Sequence, residues 1–141
     1  MRIDVATLKA LETRRRLHEE ARAIGVSEEY ISLLVDSFYE KVRGHPELGP
    51  VFNDLIQDNW PRHLARMKIF WSSIALRTGA YEGNPMPIHK ALTNAKPEHF
   101  TIWLELFKQT LSETAPTPDV IDYFMAFANS MGKRLSTAMF Q

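Results

Sequence analysis

The sequence lacks cysteine and lacks an excess of charge of either sign. None of its 141 residues is Cys, and 17 Lys and Arg residues balance 17 Asp and Glu residues. The absence of cysteine excludes disulfide frameworks, thiolate zinc sites, iron–sulfur clusters and thiol nucleophiles. The charge balance argues against a basic domain that neutralises phosphates, so we expect no nucleic-acid partner.

Long apolar runs and alternating patterns are also missing. No run approaches the roughly 20 apolar residues that span a bilayer. The first residues lead into a charged segment rather than a signal-peptide core. We therefore expect a soluble, cytoplasmic protein with no membrane partner. Because no segment alternates apolar and polar residues for long, no strand is predicted, and the length suits one folded unit with its own core.

What the sequence does contain is many bulky apolar side chains, with 8 Phe, 3 Trp, 4 Tyr and 6 Met, arranged at helical spacing. Residues 5–24 are good helix formers, and Gly25 follows as a stop. Ser27 begins a capping pattern for a second helix whose apolar face extends to Val42. Glycines and prolines then interrupt the pattern, so we expect Phe52 in a tight, irregular segment.

Three further helices are predicted in the rest of the chain. Asn59 can cap the first, and Pro61 falls in its first turn, where proline is tolerated. Pro97 opens the next helix, and Pro118 marks the start of the last one. The sequence therefore predicts an all-α protein of five or six helices. The most regular apolar stripe consists of Trp60, His63, Leu64, Met67, Phe70, Trp71, Ile74 and Ala75.

Polar groups interrupt three of these apolar stripes, at Tyr39, His63 and Trp103. Each carries a hydrogen-bonding group that costs about 1–3 kcal/mol when it is buried without a partner. Taken singly, each is explained by a side chain at the edge of the core whose polar tip reaches water or a carbonyl. Three such residues on three helices point to one shared polar site inside the protein.

His89 lies on a short segment stiffened by prolines and glycines, 26 residues after His63. This placement lets the two imidazoles face each other across a flat apolar cavity, which would suit a porphyrin and its iron. Bulky residues at helical spacing are more often plain core, so the spacing alone leaves both interpretations open. His18 and His45 have polar neighbours and are expected at the surface, whereas His99 is either solvated or a minor supporting group.

A series of motifs follows in order from about residue 28 to residue 111. They are segments 38–43 and 48–53, Trp60 with His63, Met67 with Phe70 and Trp71, segment 79–89, and His99, Phe100, Trp103, Leu104 and Phe107. Their order resembles the third group of the truncated haemoglobins. The resemblance implies that residues 27–141 form a truncated globin domain and residues 1–26 an N-terminal helical extension.

The resemblance implies a two-over-two helical sandwich around haem b. His89 matches the proximal iron ligand, and His63 matches the distal histidine of the third group. Tyr39 and Trp103 match distal groups that hydrogen-bond the diatomic ligand, and Phe52 matches the phenylalanine that packs on the porphyrin. The remaining residues expected to contact the cofactor are Arg66, Met67, Phe70 and Phe107, of which Arg66 is equally well explained as a solvated surface residue.

The function implied is binding of dioxygen and other diatomic ligands such as nitric oxide and carbon monoxide. The alternative is a haem enzyme with peroxidase-like or nitric oxide dioxygenase activity. The second of these reactions needs an electron-donating reductase as a partner, because the chain carries no flavin or nicotinamide fingerprint. A helical interaction module without a cofactor is a third interpretation, but it leaves the polar groups on the apolar stripes unexplained.

Overall fold

A computed structural model describes residues 4–77 and 96–140 of the chain, with side chains through residue 133. Within these residues the protein forms six α-helices and no strand, which confirms the all-α prediction. His89, the predicted proximal ligand, lies outside the described residues. The helices are α1 (Val5–Ile24), α2 (Glu28–Gly44), α3 (Leu48–Ile56), α4 (Trp60–Ala75), α5 (Pro97–Thr114) and α6 (Pro118–Phe140), and a 3-10 turn at Gln57–Asn59 joins α3 to α4.

The first two helices begin and end where the sequence predicts. Gly25 ends α1 in the left-handed region, with φ of 117°, which glycine adopts without strain. The Ser27 hydroxyl accepts a hydrogen bond of 3.0 Å from the backbone N–H of Tyr30, and Glu28 and Glu29 occupy the first turn of α2. These contacts fix where α2 starts, and α2 carries Tyr39.

Phe52 lies in a regular helix, α3, so the prediction of an irregular segment around it was wrong. Pro50 falls in the first turn of α3, where its missing N–H is not needed. Gly49 allows a close backbone approach, because a Cβ there would lie 2.6 Å from the Arg43 carbonyl oxygen. His45 is partly buried, and its Nδ1 accepts hydrogen bonds from the backbone N–H groups of Glu47 and Leu48 at the start of α3.

Side chains from two other helices hold the C-terminal end of α4. The Tyr123 hydroxyl on α6 donates a hydrogen bond of 2.7 Å to the carbonyl of Ala75. The His18 Nδ1 on α1 donates to the carbonyl of Leu76 at 2.5 Å. His18 is therefore partly buried rather than simply a surface residue, and it ties α1 to the helix that carries His63.

The core lies between two helix pairs. Helix α2 packs against α4, helix α5 packs against α6, and α2 also packs on α5. This arrangement is the two-over-two sandwich that the family resemblance implies. Three aromatic side chains that are almost completely buried, Phe38, Phe107 and Phe124, fill the space between the pairs. None of the helices in the described ranges is both long and apolar enough to cross a membrane.

Candidate functional site

Tyr39 brings a buried hydroxyl into an aromatic environment. The residue lies in the second half of α2 and is only 5% exposed. Burial raises the pKa of the Tyr39 hydroxyl well above its usual value near 10. The phenol therefore stays protonated and remains a hydrogen-bond donor at any physiological pH.

His63 lies next to Tyr39, although the two residues belong to different helices. The ring centroids are 5.1 Å apart and the ring planes are 87° apart. The Nε2 atom of His63 is buried. Helix α4 therefore places an imidazole against the phenol of α2, as expected if the two side chains share one site.

Buried apolar residues flank this pair, in space on α3 and in sequence on α4. The ring of Phe52 on α3 lies 6.3 Å from the ring of Tyr39. Met67, one turn after His63, is buried, and so is Phe70. The site thus combines two polar rings with apolar neighbours from α3 and α4, which is a surface that suits a largely apolar cofactor.

Trp103 on α5 reaches the same region through Phe38. The Trp103 ring stands at 90° to the Phe38 ring at 5.3 Å, and the Phe38 ring lies 4.9 Å from that of Tyr39. Trp103 also stacks on Phe107 at 5.5 Å. Phe107 in turn stacks on Trp71 at 5.1 Å, so its ring is held between two indoles inside the core.

Two of the predicted or possible site residues lie toward solvent. Arg66 is exposed on α4. The Nδ1 of His99 accepts a hydrogen bond of 3.0 Å from the backbone N–H of Lys96, which caps the start of α5. His99 is therefore a helix-capping residue, and the contact of Arg66 with a cofactor stays a prediction.

The sequence analysis missed a group of three residues that borders this site. The ring of Trp60 lies 5.9 Å from Tyr39 and 5.6 Å from His63. Its indole N–H donates to the Asn53 side-chain oxygen at 3.0 Å, and the guanidinium carbon of Arg43 lies 4.7 Å from its ring centroid. The sequence signal that could have placed Trp60 at this site is its spacing, because it precedes His63 by three residues on one apolar stripe.

Comparison with known proteins supports one family. The group 3 truncated hemoglobin ctb from Campylobacter jejuni is 39% identical over 90 residues, which cover 62% of this chain and 71% of the relative. The chain belongs to the group 3 truncated haemoglobins. A crystal structure of the group III truncated hemoglobin from Campylobacter jejuni matches this truncated haemoglobin with a TM-score of 0.77 and 30% identity, over 82% of this chain and 93% of that one. No family model matches the chain.

Membership of the globins implies a haem cofactor, and the described residues fit one. A porphyrin needs apolar walls; Phe52 contacts Tyr39, and Met67 and Phe70 are buried apolar residues on the helix that carries His63. A diatomic ligand with partial negative charge needs hydrogen-bond donors, and the protonated hydroxyl of Tyr39 is one. Helices α2, α3 and α4 of the truncated haemoglobin therefore carry both kinds of group that a haem site needs, apolar side chains and a hydroxyl donor.

Proposed function

We propose that this truncated haemoglobin is a haem b protein that binds dioxygen and other diatomic ligands, including nitric oxide and carbon monoxide. His89 would hold the iron through its imidazole. One observation carries the proposal: the buried Tyr39 ring contacts the His63 ring, with the two ring centroids 5.1 Å apart. When bound, haem iron supplies the coordination position that a diatomic ligand occupies.

Different residues of the distal side would hold that ligand and control its entry. Tyr39 would donate its O–H, and Trp103 its indole N–H, to the charge that dioxygen acquires on binding. One such hydrogen bond contributes about 1 kcal/mol net, and each 1.4 kcal/mol slows release roughly tenfold. His63, in the first turn of α4, would control entry of the ligand.

The cofactor itself would be held mainly by apolar contacts. Phe52, Met67 and Phe70 are buried and would pack on the porphyrin. Phe107 would contribute through the stacked column that it forms with Trp103, at 5.5 Å. Arg66 is exposed, so it would act at the rim, where a guanidinium can pair with a propionate.

A second candidate function is a haem enzyme. The contact between His63 and Tyr39 favours a peroxidase-like reaction, because an imidazole can accept a proton from a peroxide and return it, while the protonated phenol donates a hydrogen bond close by. Nitric oxide dioxygenase activity would require a separate reductase, since this sequence carries no flavin or nicotinamide fingerprint.

The domain organisation is part of the proposal. Residues 27–141 would form the globin domain and residues 1–26 an N-terminal extension. The extension is fastened at its end, where Ala21 is buried and the Thr117 hydroxyl donates to the carbonyl of Ile24 at 2.7 Å. Its first half is exposed, including Val5 and Leu8, so we expect the globin domain to keep its haem without that half.

Titration of the haem-free protein with haem tests the proposed function. The parent should give saturable binding, with absorption spectra that change on reduction and again on addition of carbon monoxide. His89→Ala should lose stable haem, and added imidazole should restore it. His99→Ala is the matched control, because that imidazole caps α5. A normal haem spectrum in His89→Ala without imidazole would show that another residue holds the iron.

A further inference from the structure

We propose that Trp60 is the positioning residue of the distal site, held by Asn53 and Arg43 so that it fixes the rings of Tyr39 and His63. The inference rests on the proposed function, because it assigns a role toward the ligand pocket. Trp60 is only 4% exposed and is the first residue of α4. Its ring contacts both polar rings, with centroid distances of 5.9 Å to Tyr39 and 5.6 Å to His63.

Trp60 is anchored from two other helices. The Asn53 side chain on α3 accepts a hydrogen bond of 3.0 Å from the indole Nε1. The guanidinium carbon of Arg43 on α2 lies 4.7 Å from the ring centroid, within the range of a cation–π contact. A hydrogen bond fixes the orientation of the ring in its own plane, and a cation over the ring fixes the plane itself. The two contacts together restrain the Trp60 ring from two neighbouring helices.

Because Trp60 lies one turn before His63 in α4, restraint of the Trp60 ring also restrains the His63 ring. Residues three apart on a helix lie on the same face, so Trp60 and His63 project from one side of the first turn of α4. The two ring planes are 88° apart, and the His63 ring is also at 87° to Tyr39. The His63 ring therefore contacts two rings from different helices, which also contact each other, and a change in the Trp60 ring alters one of the two surfaces that orient it.

Trp71 is a second buried indole on α4, and among the described residues its ring contacts lie in the core rather than with Tyr39 and His63. These contacts are with Phe70, Phe107 and Phe124. Trp71 thus belongs to the core between the helix pairs. It provides a matched control, because Trp71→Phe removes the same atoms from the same helix as Trp60→Phe.

The test uses Asn53, whose side chain is exposed, so that the anchor is changed without removing core atoms. Asn53→Leu removes the acceptor, whereas Asn53→Asp keeps an oxygen in place. In the haem-loaded protein, Asn53→Leu should displace the Tyr39 donor and raise the dioxygen dissociation rate about two- to fivefold, up to the effect of losing one hydrogen bond to the ligand. Asn53→Asp should release dioxygen at the parent rate. Trp60→Phe should raise the dissociation rate as Asn53→Leu does.

A second readout does not depend on dioxygen. In NMR spectra of the carbon monoxide form, the ring protons of His63 take part of their chemical shift from the rings of Tyr39 and Trp60. Asn53→Leu should move these resonances and speed exchange of the Trp60 indole proton, and Asn53→Asp should leave both near the parent. Trp71→Phe should leave the His63 resonances in place.

The outcomes separate this inference from the proposed function. A parent protein that binds neither haem nor dioxygen overturns the proposed function, and the inference with it. A parent that binds both, with Asn53→Leu unchanged in release rate and in His63 resonances, overturns the inference alone. It is also overturned if Asn53→Asp behaves as Asn53→Leu does, or if Trp71→Phe moves the His63 resonances as far as Trp60→Phe.

Discussion

The His63 imidazole and the Tyr39 phenol meet in a T-shaped contact, with ring centroids 5.1 Å apart and ring planes at 87°. The contact joins α2 to α4 at the place where both helices are otherwise lined by apolar residues. Perpendicular aromatic contacts of this kind are stabilising and restrict the orientation of both rings. The residue proposed to control ligand entry and the residue proposed to hold the ligand are therefore in direct contact.

Removal of the His63 ring should open the distal side. In His63→Ala we expect the association rates of dioxygen and carbon monoxide to rise together, because both ligands would enter past the same side chain. Flash photolysis of the haem-loaded protein measures both rates. Unchanged association rates combined with a loss of peroxide reactivity would instead assign His63 to proton transfer.

Tyr39 should make the protein less stable in alkali. The unfolded chain loses the Tyr39 proton near pH 10, whereas burial raises the pKa of this hydroxyl in the folded state. Between these two pKa values the folded state keeps the proton and the unfolded state loses it. The contribution of Tyr39 to the free energy of unfolding is therefore fully present below about pH 10, and above that pH the free energy of unfolding falls by up to about 1.4 kcal/mol per pH unit.

Urea unfolding of the parent and of Tyr39→Phe, from neutral to alkaline pH, measures this effect. The free energy of unfolding of Tyr39→Phe should fall less steeply above about pH 10. Tyr30 and Tyr123, whose pKa values burial also raises, are present in both proteins and cancel in the comparison. Parallel curves for the two proteins would contradict the burial of an un-ionised Tyr39.

His45 should stabilise the start of α3. Its Nδ1 accepts from the backbone N–H groups of Glu47 at 3.1 Å and Leu48 at 3.3 Å. His45→Ala should lower the free energy of unfolding by about 1 kcal/mol, the usual cost of a lost helix cap. His45→Asn is the control, since an Asn oxygen can accept from the backbone two residues on. Equal stability of the parent and both variants would contradict the capping role.

The helices and the polar pair could be predicted from the sequence because their determinants are local. Ser27 and Gly25 mark helix ends by chemistry within a few residues. The apolar stripes place Tyr39 and His63 on inward faces. Residues of this kind are predictable because the helical repeat alone decides which way they point.

The parts that could not be predicted depend on contacts between distant segments. His18 binds the carbonyl of Leu76, which lies 58 positions away in the sequence. The close packing of the start of α3 on the end of α2 also needs Gly49, where a Cβ would lie 2.6 Å from the Arg43 carbonyl oxygen. No pattern within one segment of the sequence indicates such a partner, because it is set by how the helices pack.

The dissociation rate of dioxygen, measured by stopped flow on the haem-loaded protein, tests most directly whether Tyr39 and Trp103 hold the ligand. We expect Tyr39→Phe and Trp103→Phe each to raise that rate about fivefold, the value of one hydrogen bond. Carbon monoxide carries less charge, so its release should change less in both variants. An effect seen only in the double variant would mean that either donor compensates for the other. Dioxygen release at the parent rate in both single variants and in the double variant would contradict the assignment.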